Sequence, residues 1–247
     1  MDFHKSTHDA LGKTAVDSNV DLAGEEYVIR LAALAIETPC IDLSPLDRDG
    51  LINAILPLAI DDLQAYHQRD PSVRHKPLAC LASPHATYFA VLAYRIAHHL
   101  ITFHNNNRER HPVENAMRLS FYARSQTGTE IHPEAEIGRR FVIDHGWGTV
   151  IGQTTKIGDD CYVLNDVTLG GRAVANAPDG KRHPTLGNNV QICARAKIFG
   201  PVTIGDNCFI GPDVTVTTNV ASGTRVLNSL EGVGSKPSQG LTEDVGE

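Results

Sequence analysis

The sequence has no long apolar run, no excess of positive charge and no signal-like start, and each absence removes a class of protein. The 247 residues carry a formal net charge of -7, so a general nucleic-acid or anionic-membrane partner is not expected. No apolar stretch approaches the roughly 20 residues that a membrane-spanning helix needs. The first residues, "MDFHKSTHDALGK", lack the apolar segment of a secretory signal peptide. We therefore expect a cytoplasmic protein.

Cysteines and aromatic residues are also scarce. The five cysteines are odd in number, show no CxxC spacing and are scattered along the chain: Cys40, Cys80, Cys161, Cys193 and Cys208. Because zinc ligands normally come in close pairs, we expect reduced, mostly buried thiols and no metal site. Aromatic residues make up 6% of the chain and include a single tryptophan, Trp147.

The first half of the chain is predicted to be helical. Four segments have apolar residues at helical spacing: residues 21–38, 50–68, 83–103 and 112–124. Pro57 is expected to kink the second helix or split it in two, and Ser83 is a candidate N-cap for the third. We assign residues 21–128 to an α-helical domain that follows a flexible segment of residues 1–20.

From Ile131 the period of the sequence changes to six. The hexads begin IHPEAE, IGRRFV, IDHGWG, TVIGQT, TKIGDD, and ten of the thirteen start with Ile, Val or Leu. Fixed short repeats of this kind are typical of parallel β-helices, in which three sixes form one triangular coil with the leading aliphatic inward. We predict a β-helix over residues 129–222, followed by a tail of residues 223–247.

One insertion interrupts the repeat. After Arg172, thirteen residues, "AVANAPDGKRHPT", stand out of frame before Leu186 restores it. A solenoid accommodates an insertion as a loop on its side, and such loops often carry function. We therefore predict a projecting loop over residues 173–185.

The repeats and several shorter motifs resemble a known family. The hexads are similar to those of the left-handed β-helix acyltransferases, and the motifs within them resemble the serine O-acetyltransferases. The resemblance runs from about residue 62 to residue 220 and rests on six motifs: "RDPSV" (69–73), "AYRIAH" (93–98), "EIHPEAEIG" (130–138), "IDHGWGTVIGQT" (143–154), "VTLGG" (167–171) and "RHPTLG" (182–187). It implies an α+β fold, in which an α-helical domain precedes a left-handed parallel β-helix with one projecting loop.

The resemblance also implies an activity and its residues. The expected reaction transfers the acetyl group of acetyl-CoA, a co-substrate and not a permanently bound cofactor, to the hydroxyl of L-serine. The expected catalytic residues are His145, Glu130 and His183. The acceptor is expected to bind to Asp70, Asp144 and Arg182. CoA is expected to lie in a groove between neighbouring β-helices, lined by Gly171, Arg172 and Ala194. Glu130 replaces the aspartate usual in the family.

Trp147 is a second departure, because the family usually has a small residue there, commonly threonine. A tryptophan cannot fill a space made for threonine, so we expect its side chain to turn outward, towards the acceptor pocket or a neighbouring subunit. Packing at a subunit interface and a reshaped acceptor site are both consistent with this position. D-serine and homoserine therefore stay open as acceptors.

The chemistry of the residues agrees with acyl transfer. A serine hydroxyl is a poor nucleophile at neutral pH and needs a general base, for which histidine is the usual choice. A carboxylate on its second nitrogen fixes the tautomer and stabilises the imidazolium that forms. Glu130 precedes His145 by fifteen residues, so with eighteen residues per coil the two are expected near one corner of adjacent coils, or facing each other across a trimer interface.

The loop region is basic although the whole chain is acidic. Between Arg172 and Lys197 five basic residues stand against one acidic residue, a local charge of about +4. This suits a polyanionic ligand such as CoA. Gly170 and Gly171 permit the close approach of a ligand to the backbone.

Three other functions are weighed against this one. The first is an acetyltransferase of the same fold that acts on another hydroxyl or amine. The second is a metal-dependent hydratase like the γ-class carbonic anhydrases, which needs three converging histidines; the repeats offer only His132, His145 and His183. The third is an inactive scaffold, which the intact set of His145, Arg182 and His183 argues against.

The resemblance implies partners as well. The family forms homotrimers and commonly pairs two trimers through the helical domains, so a hexamer is expected. Inhibition by cysteine is expected through the acceptor contacts. The chain ends "GLTEDVGE" without the terminal isoleucine by which the family binds cysteine synthase, so no tight complex is expected by that route.

Overall fold

The structure is a computed structural model that describes residues 22–36, 48–70, 86–104, 111–173 and 179–228. Within these ranges four α-helices come first: α1 (Leu22–Ile36), α2 (Arg48–Arg69), α3 (Ala86–His104) and α4 (His111–Thr127). Ser83, the candidate N-cap of the third helix, and residues 1–20 lie outside the described residues.

The second helix is continuous. Pro57 lies inside α2, so the expectation of a split at this residue is wrong. The proline faces solvent, whereas Ile55, Leu56 and Ala59 around it are buried in the core of the helical domain. Proline has no N–H and so leaves one helical hydrogen bond unmade, but the packing of its neighbours keeps the helix continuous.

Fourteen short strands follow and form three parallel sheets, which we name A, B and C. Sheet A contains β1 (Glu130–Ile131), β4 (Val150–Ile151), β7 (Thr168–Gly170), β10 (Lys197–Phe199) and β13 (Thr215–Val216). Sheet B contains β2 (Glu136–Ile137), β5 (Lys156–Ile157), β8 (Thr185–Leu186) and β11 (Thr203–Ile204). Sheet C contains β3 (Val142–Ile143), β6 (Tyr162–Val163), β9 (Gln191–Ile192), β12 (Phe209–Ile210) and β14 (Arg225–Val226).

The three sheets are the sides of a left-handed parallel β-helix, as the hexads predict. From β1 to β13 consecutive strands visit A, B and C in turn, and every strand pair is parallel. Before β14, which belongs to sheet C, the place in sheet B is taken by an isolated parallel bridge between Val220 and Ile204. The second residue of each strand points inward, and these aliphatic side chains fill the core of the prism. β14 lies within residues 223–247, so the last coil extends beyond the predicted boundary at residue 222.

The first coil of the β-helix is two residues longer than the hexad pattern predicts. This frame slip is not apparent from the sequence. Glu130 pairs with Val150, a spacing of 20 residues, whereas Val150 pairs with Thr168, a spacing of 18. The two additional residues lie in the corner between β3 and β4, which carries His145 and Trp147. The insertion before β8 is measured in the same way. Lys156 pairs with Thr185 at a spacing of 29, which is eleven residues more than the regular 18, so the projecting loop adds eleven residues to its coil.

Two corners of the prism border sheet A and contain the functional residues. We call the corner between sheets C and A the C–A edge; it comprises residues 144–149, 164–167, 193–196 and 211–214. The corner between sheets A and B is the A–B edge; it comprises residues 132–135, 152–155, 171–173, 179–184 and 200–202.

The helical domain closes the first coil of the β-helix. Hydroxyl and ring groups of the helices bond to backbone carbonyls of that coil: Ser120 to Ile131, His98 to Pro133, Tyr94 to Ala135 and Tyr66 to Ile143. Arg95 donates to the carbonyls of Ile137 and Gly138 and pairs with buried Asp62 at 2.9 Å. These bonds satisfy backbone groups that a terminal coil leaves unpaired, and they fix α2 against the β-helix.

None of the helices within the described ranges combines the length and the apolar character that crossing a bilayer requires.

Candidate active site

His145 lies in the corner formed by the two additional residues on the C–A edge. The corner uses left-handed backbone conformations, with φ values of 59° at His145 and 77° at Gly148. A histidine with positive φ is uncommon, and here it turns the ring away from the core. The side chain is 75% exposed, and its Nε2 lies 3.8 Å from Oδ1 of Asp144. The imidazole is therefore open to a ligand and has a carboxylate as neighbour.

Tyr162 holds Asp144 in place. Its hydroxyl donates a hydrogen bond of 2.8 Å to Oδ2 of Asp144, which leaves Oδ1 on the side of His145. Burial raises the pKa of Tyr162, and the hydrogen bond to Asp144 raises it further, so the phenol stays protonated and remains a donor. Asp144 thus has one oxygen fixed and one available.

The end of α2 brings a second carboxylate to this place. The N–H of Asp70 bonds to the carbonyl of Tyr66 at 2.9 Å, directly after the helix. The negative charge of Asp70 also raises the pKa of Tyr162. Arg69 lies over the ring of Tyr162, 5.7 Å from its centre. Two of the predicted acceptor-binding carboxylates, Asp70 and Asp144, therefore converge around Tyr162.

Tyr162 was not among the residues predicted from the sequence. The residue stands in register with Val142, one coil beyond the segment that carries Asp144. An aromatic residue at an outward-facing strand position beside the "IDH" motif was the available signal. Recognising it requires the true coil spacing of 20 residues at this point.

Glu130 has a different partner in the structure. Its Oε2 lies 2.8 Å from Nη1 of Arg124, at the end of α4. The expected placement near His145 assumed eighteen residues per coil, whereas the first coil has 20 and aligns Glu130 with Val150. The N–H of Glu130 donates to the carbonyl of Thr149 at 2.9 Å, so Glu130 still borders the corner that carries His145, and a contact between the two side chains within one chain stays a prediction. A contact between Glu130 and His145 across a subunit interface stays a prediction.

Trp147 turns outward, as its size led us to expect. The side chain is 73% exposed and lies against Gly128, in the link between α4 and β1. A Cβ on Gly128 would come within 2.3 Å of Cε3 of the indole, so only glycine leaves room for the ring there. The corner therefore presents a large apolar surface two residues after His145.

His183 lies on the A–B edge and is held closely. Its ring packs on Gly152, where a Cβ would come within 2.1 Å of Cδ2. Nδ1 lies 2.9 Å from Oγ1 of Thr154. Burial lowers the pKa of His183, and the nearby charges of Arg182 and Lys181 lower it further. The ring is therefore kept neutral.

Arg182, which precedes this histidine, is also fixed. Its guanidinium donates through Nη2 to Gln153, and its backbone N–H donates to Oγ1 of Thr154 at 2.9 Å. The Nε atom of Arg182 is buried and has no hydrogen-bond partner among the residues that the structure describes. Lys181 donates to the carbonyl of Pro184 at 3.0 Å. The described end of the loop is thus anchored to the coil beneath it.

The predicted CoA positions are divided between the two edges. Gly171 and Arg172 lie on the A–B edge, where the side chain of Arg172 crosses Gly200: a Cβ on this glycine would come within 2.7 Å of Nε. Ala194 lies on the C–A edge, and its carbonyl accepts the N–H of Asp213 at 3.1 Å.

The local positive charge is smaller than the sequence suggests. Arg195 pairs with Asp213 at 2.6 Å, and Lys197 pairs with Asp166 at 3.1 Å. These two ion pairs lie on the C–A edge and neutralise much of its positive charge. The basic residues next to the loop, which are Arg172, Lys181 and Arg182, all belong to the A–B edge.

The predicted site therefore falls into two groups on opposite sides of sheet A. Asp144, His145 and Ala194 belong to the C–A edge, and Gly171, Arg172, Arg182 and His183 to the A–B edge. Asp70 follows α2, which lies on the side of the C–A edge. Within the described part of the chain, no three His, Cys, Asp or Glu side chains are grouped in a way that would hold a metal ion.

Comparisons with known proteins agree with the repeat and with the motifs. The family described as bacterial transferase hexapeptide (six repeats) matches residues 183–218. A serine acetyltransferase of Helicobacter pylori (strain ATCC 700392 / 26695) is 42% identical over 167 residues, which cover 68% of this chain and 91% of that protein.

Solved structures extend the likeness to the helical domain. The Neisseria gonorrhoeae serine acetyltransferase in complex with serine is 26% identical with a TM-score of 0.68, over 85% of this chain and 83% of that one. A serine acetyltransferase in complex with CoA is 28% identical with a TM-score of 0.65, over 80% of this chain and 79% of that one. The chain belongs to the serine acetyltransferase family.

Proposed function

We propose that the protein transfers the acetyl group of acetyl-CoA to the hydroxyl of L-serine, with His145 as the general base. The observation that carries the proposal is the exposed His145 beside a carboxylate, Asp144, that Tyr162 holds in place. The family membership supports it, since relatives of this fold have been solved with serine and with CoA bound.

The reaction follows from the chemistry of an imidazole. Neutral His145 takes the proton of the acceptor hydroxyl as its oxygen attacks the thioester carbonyl. The tetrahedral intermediate collapses and expels the CoA thiolate, which takes the proton back from the imidazolium. The carboxylates of Asp70 and Asp144 bind the ammonium of the acceptor, and Asp144 also stabilises the imidazolium through its 3.8 Å contact.

The A–B edge supplies the remaining contacts. Arg182 and His183 bind the carboxylate of the acceptor, for which a guanidinium is well suited. CoA lies along Gly171 and Arg172 of this edge and along Ala194 of the C–A edge. Because the two edges border opposite sides of sheet A, one chain alone does not bring these groups together.

We therefore propose a homotrimer in which the C–A edge of one copy meets the A–B edge of the next. Such a head-to-tail contact closes into a ring after three copies. Three of the five outward-facing first positions of sheet A are uncharged, namely Val150, Thr168 and Thr215. The other two, Glu130 and Lys197, are paired with Arg124 and Asp166, which is compatible with a contact there. Two trimers then pair through the helical domains, where Val113, Met117 and Phe121 form an exposed apolar row on α4.

A second acceptor is favoured by one observation. Trp147 is 73% exposed beside His145, where the family usually has a small residue. An indole at this place changes the shape of the space in front of the base. D-serine and homoserine are therefore the alternative acceptors.

Release of free thiol from acetyl-CoA tests the proposal. Purified protein is assayed with L-serine, D-serine and homoserine, and with water alone as the control. We expect the highest kcat/KM with L-serine. A higher value with another hydroxy amino acid would replace the acceptor but keep the chemistry, and no thiol release with any of them would refute the enzyme.

A further inference from the structure

We infer that Thr154 is a positioning residue that fixes His183 as the Nε2–H tautomer. In this state His183 donates a hydrogen bond to an anionic oxygen and takes up no proton during the reaction. The functional part of the inference rests on the proposed acetyl transfer, whereas the tautomer itself rests only on the geometry around the ring.

The first observation is a backbone contact. The N–H of Thr154 points at Nδ1 of His183, with 3.2 Å between the nitrogens. A backbone N–H only donates, so Nδ1 has to present its lone pair. In a neutral imidazole the proton then belongs to Nε2.

The second observation is the hydroxyl of the same threonine. Oγ1 of Thr154 accepts the N–H groups of Arg182 and His183, at 2.9 and 3.0 Å. Both lone pairs of the hydroxyl are thereby used, so its own proton remains for Nδ1 at 2.9 Å. Nδ1 is thus held as an acceptor by two donors from one residue.

The surroundings keep the ring neutral, as this arrangement requires. Burial lowers the pKa of His183, and the groups whose charges act on the ring all lower it further: Arg182, Lys181 and His132. A second proton on Nδ1 would face the two Thr154 donors as well. Gly152 beneath the ring leaves space for it to lie flat on the coil.

A neutral ring with Nε2–H has a defined use in the proposed reaction. It donates to the carboxylate of the acceptor or to the oxyanion of the tetrahedral intermediate, and it has no free lone pair with which to act as a base. The hydroxyl proton therefore goes to His145 and from there to the thiolate of CoA. No proton passes through His183.

Two variants of Thr154 test the positioning role. Thr154→Val keeps the shape and the backbone N–H but removes the hydroxyl, and Thr154→Ser keeps the hydroxyl. We expect kcat/KM to fall about tenfold in the valine variant and less than about threefold in the serine variant. Equal losses in both variants, or none in either, would contradict the inference. Unchanged oligomeric state and unfolding temperature serve as the check on folding.

Two variants of His183 test the donor role. The amide of glutamine still donates a hydrogen bond, so His183→Gln is expected to keep about tenfold more activity than His183→Ala. Equal losses would contradict a donor. A change confined to KM identifies the acceptor carboxylate as the partner, and a change confined to kcat identifies the oxyanion. Ethanolamine lacks the carboxylate and gives a second test of the partner. With this acceptor, His183→Ala is expected to cost no activity if His183 binds the carboxylate, and to keep its loss if His183 binds the oxyanion.

Neutron diffraction of crystals of the full chain observes the proton itself. We expect density for deuterium on Nε2 of His183 and none on Nδ1, whereas a proton on Nδ1 would overturn the inference. This result does not depend on activity. If His145→Ala were fully active, the proposed reaction would fail and the tautomer would stand; if the proton were on Nδ1 while His145→Ala was inactive, only the present inference would fail.

Discussion

The C–A edge and the A–B edge each carry a histidine, and they differ in how firmly the chain holds the ring. On the C–A edge, His145 is 75% exposed, and the neighbouring Asp144 carboxylate lies 3.8 Å away. On the A–B edge, the ring of His183 packs on Gly152 and its Nδ1 receives two donors from Thr154. The same residue type is thus open on one edge and fixed on the other.

This difference matches two different tasks. A general base has to take up a proton and release it, which an open imidazole next to a carboxylate can do. A hydrogen-bond donor acts best when its orientation is fixed before the substrate arrives. The way each ring is held therefore agrees with the two proposed roles, although both residues are histidines in conspicuous motifs.

The largest expected effect is the loss of the base. His145→Ala is expected to lower kcat by at least about two orders of magnitude, because it removes the proposed general base. Turnover measured by thiol release checks this. His99→Ala, on α3, is the matched control and is expected to leave turnover unchanged. Activity within a few-fold of wild type in His145→Ala would remove the central assignment.

The support of the open edge is expected to matter less. Tyr162→Phe removes the hydrogen bond to Asp144, so we expect KM for the acceptor to rise about tenfold with a smaller change in kcat. Tyr122→Phe, where the ring packs on Phe89, is the control. A change in kcat with an unaltered KM would show that Tyr162 does not act through acceptor binding.

Trp147 tests what the open edge selects. Trp147→Thr is expected to change the ratio of kcat/KM values for L-serine, D-serine and homoserine by a few-fold, on the order of 1 kcal/mol. The fluorescence of this single tryptophan is expected to change when the acceptor binds to wild type. An unchanged ratio together with unchanged fluorescence would make Trp147 a packing residue only.

The smallest expected effect concerns the fixed edge and pH. Because its pKa is lowered in the fold, His183 binds a proton more weakly there than in the unfolded chain. Stability contributed by this neutral ring is therefore lost as the pH falls below about 6.5. We expect the unfolding temperature to drop between pH 7.5 and pH 5.5, and to drop less in His183→Gln. An identical drop in both proteins would contradict a half-buried ring that is held neutral.

The fold was predictable because the hexads report directly on which residues point inward. The aliphatic residues of the strands and the insertion before Leu186 gave the β-helix and its loop. The frame slip at the His145 corner was not visible in the sequence. In an uninterrupted six-residue frame Thr149, Thr155 and Cys161 would begin hexads, and because they are small or β-branched and buried they resemble the inward-facing positions. A period shows the inward face but does not show the number of residues in a corner.

The site was predictable in its residues but not in its arrangement. The motifs that resemble the family identified His145, and they identified Arg182 and His183 on the loop that interrupts the repeat. Their position on opposite sides of sheet A depends on the coil register, which the slip of two residues obscures. Tyr162 was missed for the same reason, and Thr154 was missed because its role depends on hydrogen bonds and not on residue type.

The central claim is that one active site takes His145 from one copy and His183 from the next. Mixing two nearly inactive variants, His145→Ala and His183→Ala, tests it most directly. After dissociation and reassembly at equal amounts, one interface in about four joins two intact edges, so about a quarter of wild-type turnover is expected to return. Recovery has to require reassembly, and each variant treated alone has to stay inactive. A mixture no more active than its components would contradict a shared site.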